Sequence, residues 1–145
     1  MRNGVTVLES IELMITLVRA RLEYTLEPVS DLAENLSKNK ELKNLPFLQE
    51  CAALCREGAD FPLAWSKSVS HLSRLTFSRQ VSEYLDGFGK ALGSTDVSGQ
   101  LSCCDMYLAL FSACRKEQIK KQEKAAKLYP PLGFLGGIAA LIFLI

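Results

Sequence analysis

The residues able to do covalent or metal chemistry are few: one histidine, His71, and five cysteines, Cys51, Cys55, Cys103, Cys104 and Cys114. No catalytic motif surrounds His71, and the chain carries neither a Gly-rich phosphate loop nor a nucleophile elbow. A surface or packing histidine is the simpler reading. Cys51 and Cys55 lie one helical turn apart and could join Cys103 or Cys104 around a metal, but the paired CxxC spacing of a thiolate site is missing. An odd number of cysteines set in apolar stretches fits reduced thiols in a cytosolic core, so a disulfide framework is disfavoured. No catalytic, cofactor-binding or metal-ligating residue is assigned, and no cofactor is expected.

A second chemistry is electrostatic. Between Arg115 and Lys127 stand six Lys/Arg (Arg115, Lys116, Lys120, Lys121, Lys124, Lys127) against two Glu (Glu117, Glu123), directly before Leu128-Tyr129-Pro130-Pro131 and an apolar end, Leu132 to Ile145. Fourteen apolar residues make a helix of about 21 Å, and counting from Leu128 about 27 Å, against a hydrocarbon core of roughly 30 Å. The end therefore reads as a C-terminal membrane anchor, with the basic excess marking the cytoplasmic side. Lys120, Lys121, Lys124 and Lys127 are then placed to meet lipid headgroups. Gly133 and Gly137, with Gly136 beside them, offer a small-residue face on which another membrane helix could pack. Pro130-Pro131 should break or kink the chain between stalk and span. A formal net charge of +1 gives no global basic field, and no nucleic-acid motif is present. Before Val5 there is no long apolar run, and Glu9, Glu12 and Arg19 follow, so neither a signal peptide nor an N-terminal span is expected.

The elements that must position these groups are helical. Leu8, Ile11, Ile15, Val18, Leu22 and Leu26 recur in steps of three and four, and Leu13, Leu17 and Tyr24 widen that face. Pro28 ends this first helix and starts a second, carrying Leu32, Ala33 and Leu36 inward. After the polar connector Ser37 to Lys40, Asn44 is expected to cap a helix bearing Phe47, Leu48, Cys51, Ala52 and Cys55, which Gly58 stops. Asp60 caps a short fourth helix with Trp65, Val69 and Leu72 on one stripe. A fifth follows Thr76 with Phe77, Val81, Leu85, Phe88 and Leu92; Gly87 and Gly89 suit close approach of another backbone, and Gly93 a C-terminal cap. Asp96 is placed to cap a sixth helix of about 48 Å by accepting N–H groups of Ser98 or Gly99. Its first half carries apolar residues on two sides, whereas between Arg115 and Lys127 Ile119 is the only large apolar residue. No alternating strand pattern is found. The reading is an all-α, six-helix antiparallel bundle over 1–114, a basic juxtamembrane stalk over 115–131 and a membrane anchor over 132–145.

One stretch is distinctive. Phe88, Gly89, Leu92, Gly93, Asp96 and Gln100 form Phe-Gly-x-x-Leu-Gly-x-x-Asp-x-x-x-Gln, and Leu132, Gly133, Leu135, Gly136 and Gly137 form Leu-Gly-x-Leu-Gly-Gly after a helix rich in Glu, Lys and Gln. With Glu27-Pro28-Val29 in place of an earlier turn motif, the chain resembles the stage III sporulation protein AB family over nearly its whole length. That family normally begins with a membrane helix of its own, which has no counterpart before Val5.

The resemblance implies a scaffold, not an enzyme: a subunit of the channel-like complex between mother cell and forespore in endospore formation, similar to the cytoplasmic domain of type II secretion inner-membrane platform proteins. Its expected partners are a secretion-type ATPase, the sporulation AA-like protein, together with other channel-complex membrane proteins. The motif at Phe88 to Gln100 is a candidate partner contact. From the residues alone, Asp96 caps and Gln100 hydrogen-bonds the preceding loop. A wide apolar helix face also leaves a homo-oligomer open. The alternatives are a platform subunit of a secretion or pilus system and a membrane-tethered thiol or metal enzyme.

Overall fold

The computed structural model describes the backbone of residues 4–25, 29–76, 78–93 and 95–135, with side chains described for 5–25, 31–71, 78–93 and 95–124. Among the described residues there are six α-helices and no strand: α1 (Gly4–Tyr24), α2 (Val29–Ser37), α3 (Phe47–Arg56), α4 (Phe61–Thr76), α5 (Arg79–Leu92) and α6 (Val97–Leu135), with a 3-10 turn at Lys40–Leu42. The chain divides into two units, Met1–Cys114 and Arg115–Ile145.

In the first unit, α1 turns Leu8, Ile11, Ile15, Val18 and Leu22 into the core as the three-and-four spacing predicts, and adds Met14. Tyr24 departs from the expectation, being 79% exposed. Two residues past Leu22 is a rotation of about 200°, so Tyr24 lies on the far side of the stripe that Leu22 ends. The expected end of the helix at Leu26–Pro28 falls outside the described residues. α2 buries Leu32, Ala33 and Leu36 and packs on α3, which packs on α4, and α4 on α5.

The connector after α2 is more ordered than its polarity suggests. Asn39 accepts from the Glu41 N–H and starts the 3-10 turn, which buries Leu42; Leu45 follows it inward. Asn44 does not cap α3. Its Nδ2 donates to Ser10 Oγ at 3.4 Å, and Pro46 occupies the cap position without a side-chain bond. The first N–H groups of α3 are instead taken by backbone carbonyls, Leu48 to Leu45 and Gln49 to Pro46. At the other end Gly58 adopts φ +100, a conformation glycine reaches without steric cost, and α3 stops.

The fourth helix is 16 residues, not short, because no breaker interrupts it before Thr76. Its Leu72 side chain, and Phe77 beyond it, lie outside the described residues. The side chain of Ser78 accepts from the Val81 N–H and opens α5. α6 is one helix as far as Leu135, so of the expected break or kink at Pro130 and Pro131 the break is not found. Proline's fixed φ lies in the helical range, so the helical course is kept there at the cost of two N–H donors and of ring contacts with the preceding turn. Among the described residues no helix is long and apolar enough to cross a membrane. The expected anchor, 132–145, lies outside the described residues from 136 onward.

Candidate functional site

The distinctive stretch Phe88 to Gln100 is built around the chain's single tryptophan. Trp65 on α4 is 1% exposed and is enclosed by Phe47 edge-on at 5.1 Å, Phe61 at 5.6 Å and Phe88 at 5.8 Å between ring centroids. Its Nε1–H donates to the Leu85 carbonyl of α5 at 2.6 Å, which satisfies the one polar atom of the indole inside the core. This bond brings the ring against the turn between Leu85 and Gly89. A Cβ at Gly89 would stand 2.0 Å from Trp65 Cδ1, so the glycine is required by the tryptophan and not, as expected, by another backbone.

The same rule operates at the end of α5. Gly93 is the C-terminal cap, but with φ −82 it is not left-handed; a Cβ there would meet Pro62 Cγ at 2.6 Å. Space for α4, not backbone conformation, explains this glycine. Gly87 likewise faces a side chain, Tyr107 Oη, at 2.6 Å from a Cβ. Phe88 is packed edge-on against Tyr107 of α6 at 5.6 Å.

The polar members close the joint between α5 and α6. Asp96 Oδ1 accepts the Gly99 N–H at 2.9 Å, the expected cap, and also places a carboxylate at the positive end of the helix. Gln100, 7% exposed, donates from Nε2 to the Leu92 carbonyl at 2.8 Å, meeting one of the orphan acceptors of the α5 terminus. Thus Phe88, Gly89, Leu92 and Gln100 are buried, and only Gly93 and Asp96 reach the surface. What the sequence did not reveal is the link from this motif to Trp65 and Pro62, which lie more than 20 residues earlier; a lone tryptophan and the glycine pair 87 and 89 were its only traces.

The nucleophile candidates are dispersed. Burial pushes the Cys104 thiol up to about 12 and raises Cys51, Cys55 and Cys103 as well. All five cysteines are thiols outside any disulfide, and among the described residues no group of His, Cys, Asp or Glu could hold a metal. His71 is exposed, with Nδ1 against Glu50 Oε2 across α3 and α4. On the outer face Arg19 of α1 grips Asp105 of α6 through Nε at 2.7 Å and Nη2 at 3.4 Å, holding the Asp105 carboxyl below its usual range.

In the second unit Lys120, Lys121 and Lys124 are exposed along α6. The Lys127 side chain lies outside the described residues, as do Gly136 and Gly137; Gly133 is within the α6 backbone.

The fold and this joint define an all-helical bundle protein whose motif side chains serve chiefly to hold three helices together. The chain belongs to the stage III sporulation protein AB family, whose sequence model matches residues 1–145. Membership implies a structural role in the sporulation channel complex. Comparison with curated proteins and with solved structures finds no match.

Proposed function

We propose that the chain is a non-enzymatic platform subunit of the mother cell–forespore channel complex, anchored through 132–145 with its bundle on the mother-cell side of the outer forespore membrane, and that it docks a secretion-type ATPase. The observation that carries this reading is the family match across the whole chain. Two features support it. Thiols kept protonated by burial are poor nucleophiles, and the polar motif residues Asp96 and Gln100 are occupied by helix termini. The lysines before the apolar end supply the positive charge that favours a cytoplasmic position, with Lys127 nearest the headgroups.

The test is a crosslinked pull-down of the full chain from detergent extracts of sporulating and growing cells, with partners identified by mass spectrometry. A secretion-type ATPase recovered only during sporulation is the expected result. Recovery with secretion or pilus components from growing cells would replace the reading, and no envelope partner in either state would remove it. In the same assay Asp96→Ala separates fold from contact. Loss of the cap should cost about 1 kcal/mol of stability; unchanged ATPase recovery in the folded fraction would exclude the Asp96 turn as the contact.

A further inference from the structure

The charges of this chain are segregated. Residues 1–114 hold 11 Lys/Arg and 14 Asp/Glu, net −3, whereas 115–145 hold 6 and 2, net +4. In the acidic unit, α4 and α5 border a groove of about 210 Å³ lined by Ser66, Val69, Ser70, Ser82, Glu83 and Asp86. Ligand pockets run to about 300–1,000 Å³, so this groove is sized for side chains of another protein surface and not for a cofactor. Asp86 is half satisfied: Oδ2 meets Lys90 Nζ at 3.2 Å, while Oδ1 is buried with no hydrogen-bond partner among the described residues. Among the described residues Glu83 pairs with the exposed Arg79 at 3.5 Å, a pairing easily exchanged for another. Glu83, largely exposed, and the partly exposed Asp86 therefore present negative charge at this groove.

The complementary surface is in the basic unit. Lys116, Lys120, Lys121 and Lys124 are exposed, and none forms an ion pair among the described residues, although Glu117 and Glu123 share their helix. Lys116, Lys120 and Lys124 recur every fourth residue, so they lie along one stripe of α6. Lipid does not account for all of them. At 1.5 Å per residue Lys120 and Lys116 precede Leu132 by about 18 and 24 Å along the helix, well beyond a headgroup layer of roughly 5–8 Å.

We propose that the α4–α5 groove, with Glu83 and Asp86, receives the lysine stripe of α6, residues 116–124, from a second copy of the chain. Because the two surfaces differ, each copy keeps one of each free after pairing, so the contact is head-to-tail and propagates into a ring or a row. Val69 offers an apolar floor for a lysine stem, with the ammonium reaching the carboxylates. This inference is independent of ATPase docking and of the identity of the wider complex.

The test uses the full chain in uncharged detergent, with self-association followed by sedimentation as concentration and salt are varied. Wild type should associate more strongly with concentration and lose at least tenfold in affinity between 50 and 500 mM salt. Glu83→Lys and the pair Lys120→Glu with Lys121→Glu should each lose self-association, and mixing the two folded variants should restore it. Asp86→Asn, which keeps the side-chain shape, checks the groove if charge reversal there unfolds the protein, and should weaken association severalfold. A monomer at every concentration, salt-insensitive association, or failure of the mixed variants to pair while circular dichroism shows both folded would overturn the proposal. So would lysine reversal that abolishes binding to anionic vesicles yet leaves self-association intact.

Discussion

Replacing Gly89 by alanine should destabilise the bundle, against the usual direction of that change. In an exposed helix Gly→Ala is worth about 1 kcal/mol of added stability. At Gly89 the new Cβ would fall 2.0, 2.3 and 2.5 Å from Cδ1, Cγ and Nε1 of Trp65, an indole held between Phe47, Phe61 and Phe88. Ring atoms in a packed core cannot swing aside as the end of a long side chain does. Overpacking of this kind costs about 1–3 kcal/mol. If the ring retreats, the buried Nε1–H leaves the Leu85 carbonyl, which adds about 1–3 kcal/mol. After the propensity gain the net loss is about 3 kcal/mol, a fall in melting temperature of about 10–20 °C for a domain near 100 residues. Thermal unfolding followed by circular dichroism gives the stability, and the emission of the sole tryptophan reports the local shift. Gly87→Ala is the control. Its Cβ meets only the half-buried Tyr107 hydroxyl, at 2.6 Å, so its effect should stay within about 1 kcal/mol as propensity and clash offset. In a Trp65→Ala background Gly89→Ala should cost much less, since all the atoms it strikes are gone. The reasoning fails if Gly89→Ala is as stable as wild type, or if its cost is the same with and without the indole.

Gln100→Ala should lower stability by about 1–2 kcal/mol by stripping the Leu92 carbonyl of its donor. Gln100→Glu should be worse at pH 7, where a carboxylate faces a carbonyl, and partly recover below about pH 4.3, where a protonated Glu can donate; melting at both pH values reads this. The Arg19–Asp105 pair depresses the Asp105 pKa in the folded state. Its stabilisation is therefore complete above the unfolded value of about 3.9 and lost as pH falls through the lower folded one, so acid unfolding of Asp105→Asn should show a shallower dependence below pH 4. The buried thiols act at the other extreme: Cys104 is raised to about 12 by burial, so from about pH 8.5 upward the unfolded thiol ionises first and stability falls as pH rises. In folded protein Cys51 and Cys104 should resist maleimide for hours at pH 7.5 while denatured protein labels at once. Rapid labelling of either would revive a reactive-thiol reading.

What the sequence alone determined is what depends on spacing along one helix. The steps of three and four in α1, the Asp96 cap three residues before Gly99, the stop at Gly58 and the all-helical class are set by 3.6-residue periodicity and by backbone preferences within a turn or two. The motif residues were visible too, as a family pattern, but not their work. That Gly89 exists for Trp65, Gly93 for Pro62, and Gln100 for the end of α5 follows from contacts spanning 8 to 31 residues, which no local periodicity encodes. The missed burial of Leu42 and Leu45 and the misplaced Asn44 cap have the same origin. A polar-looking connector became ordered because neighbouring helices offered its leucines an apolar surface and its asparagine a serine on α1. Local chemistry chose the helices; the energy of filling space between them chose which face, which glycine and which carboxylate each one uses.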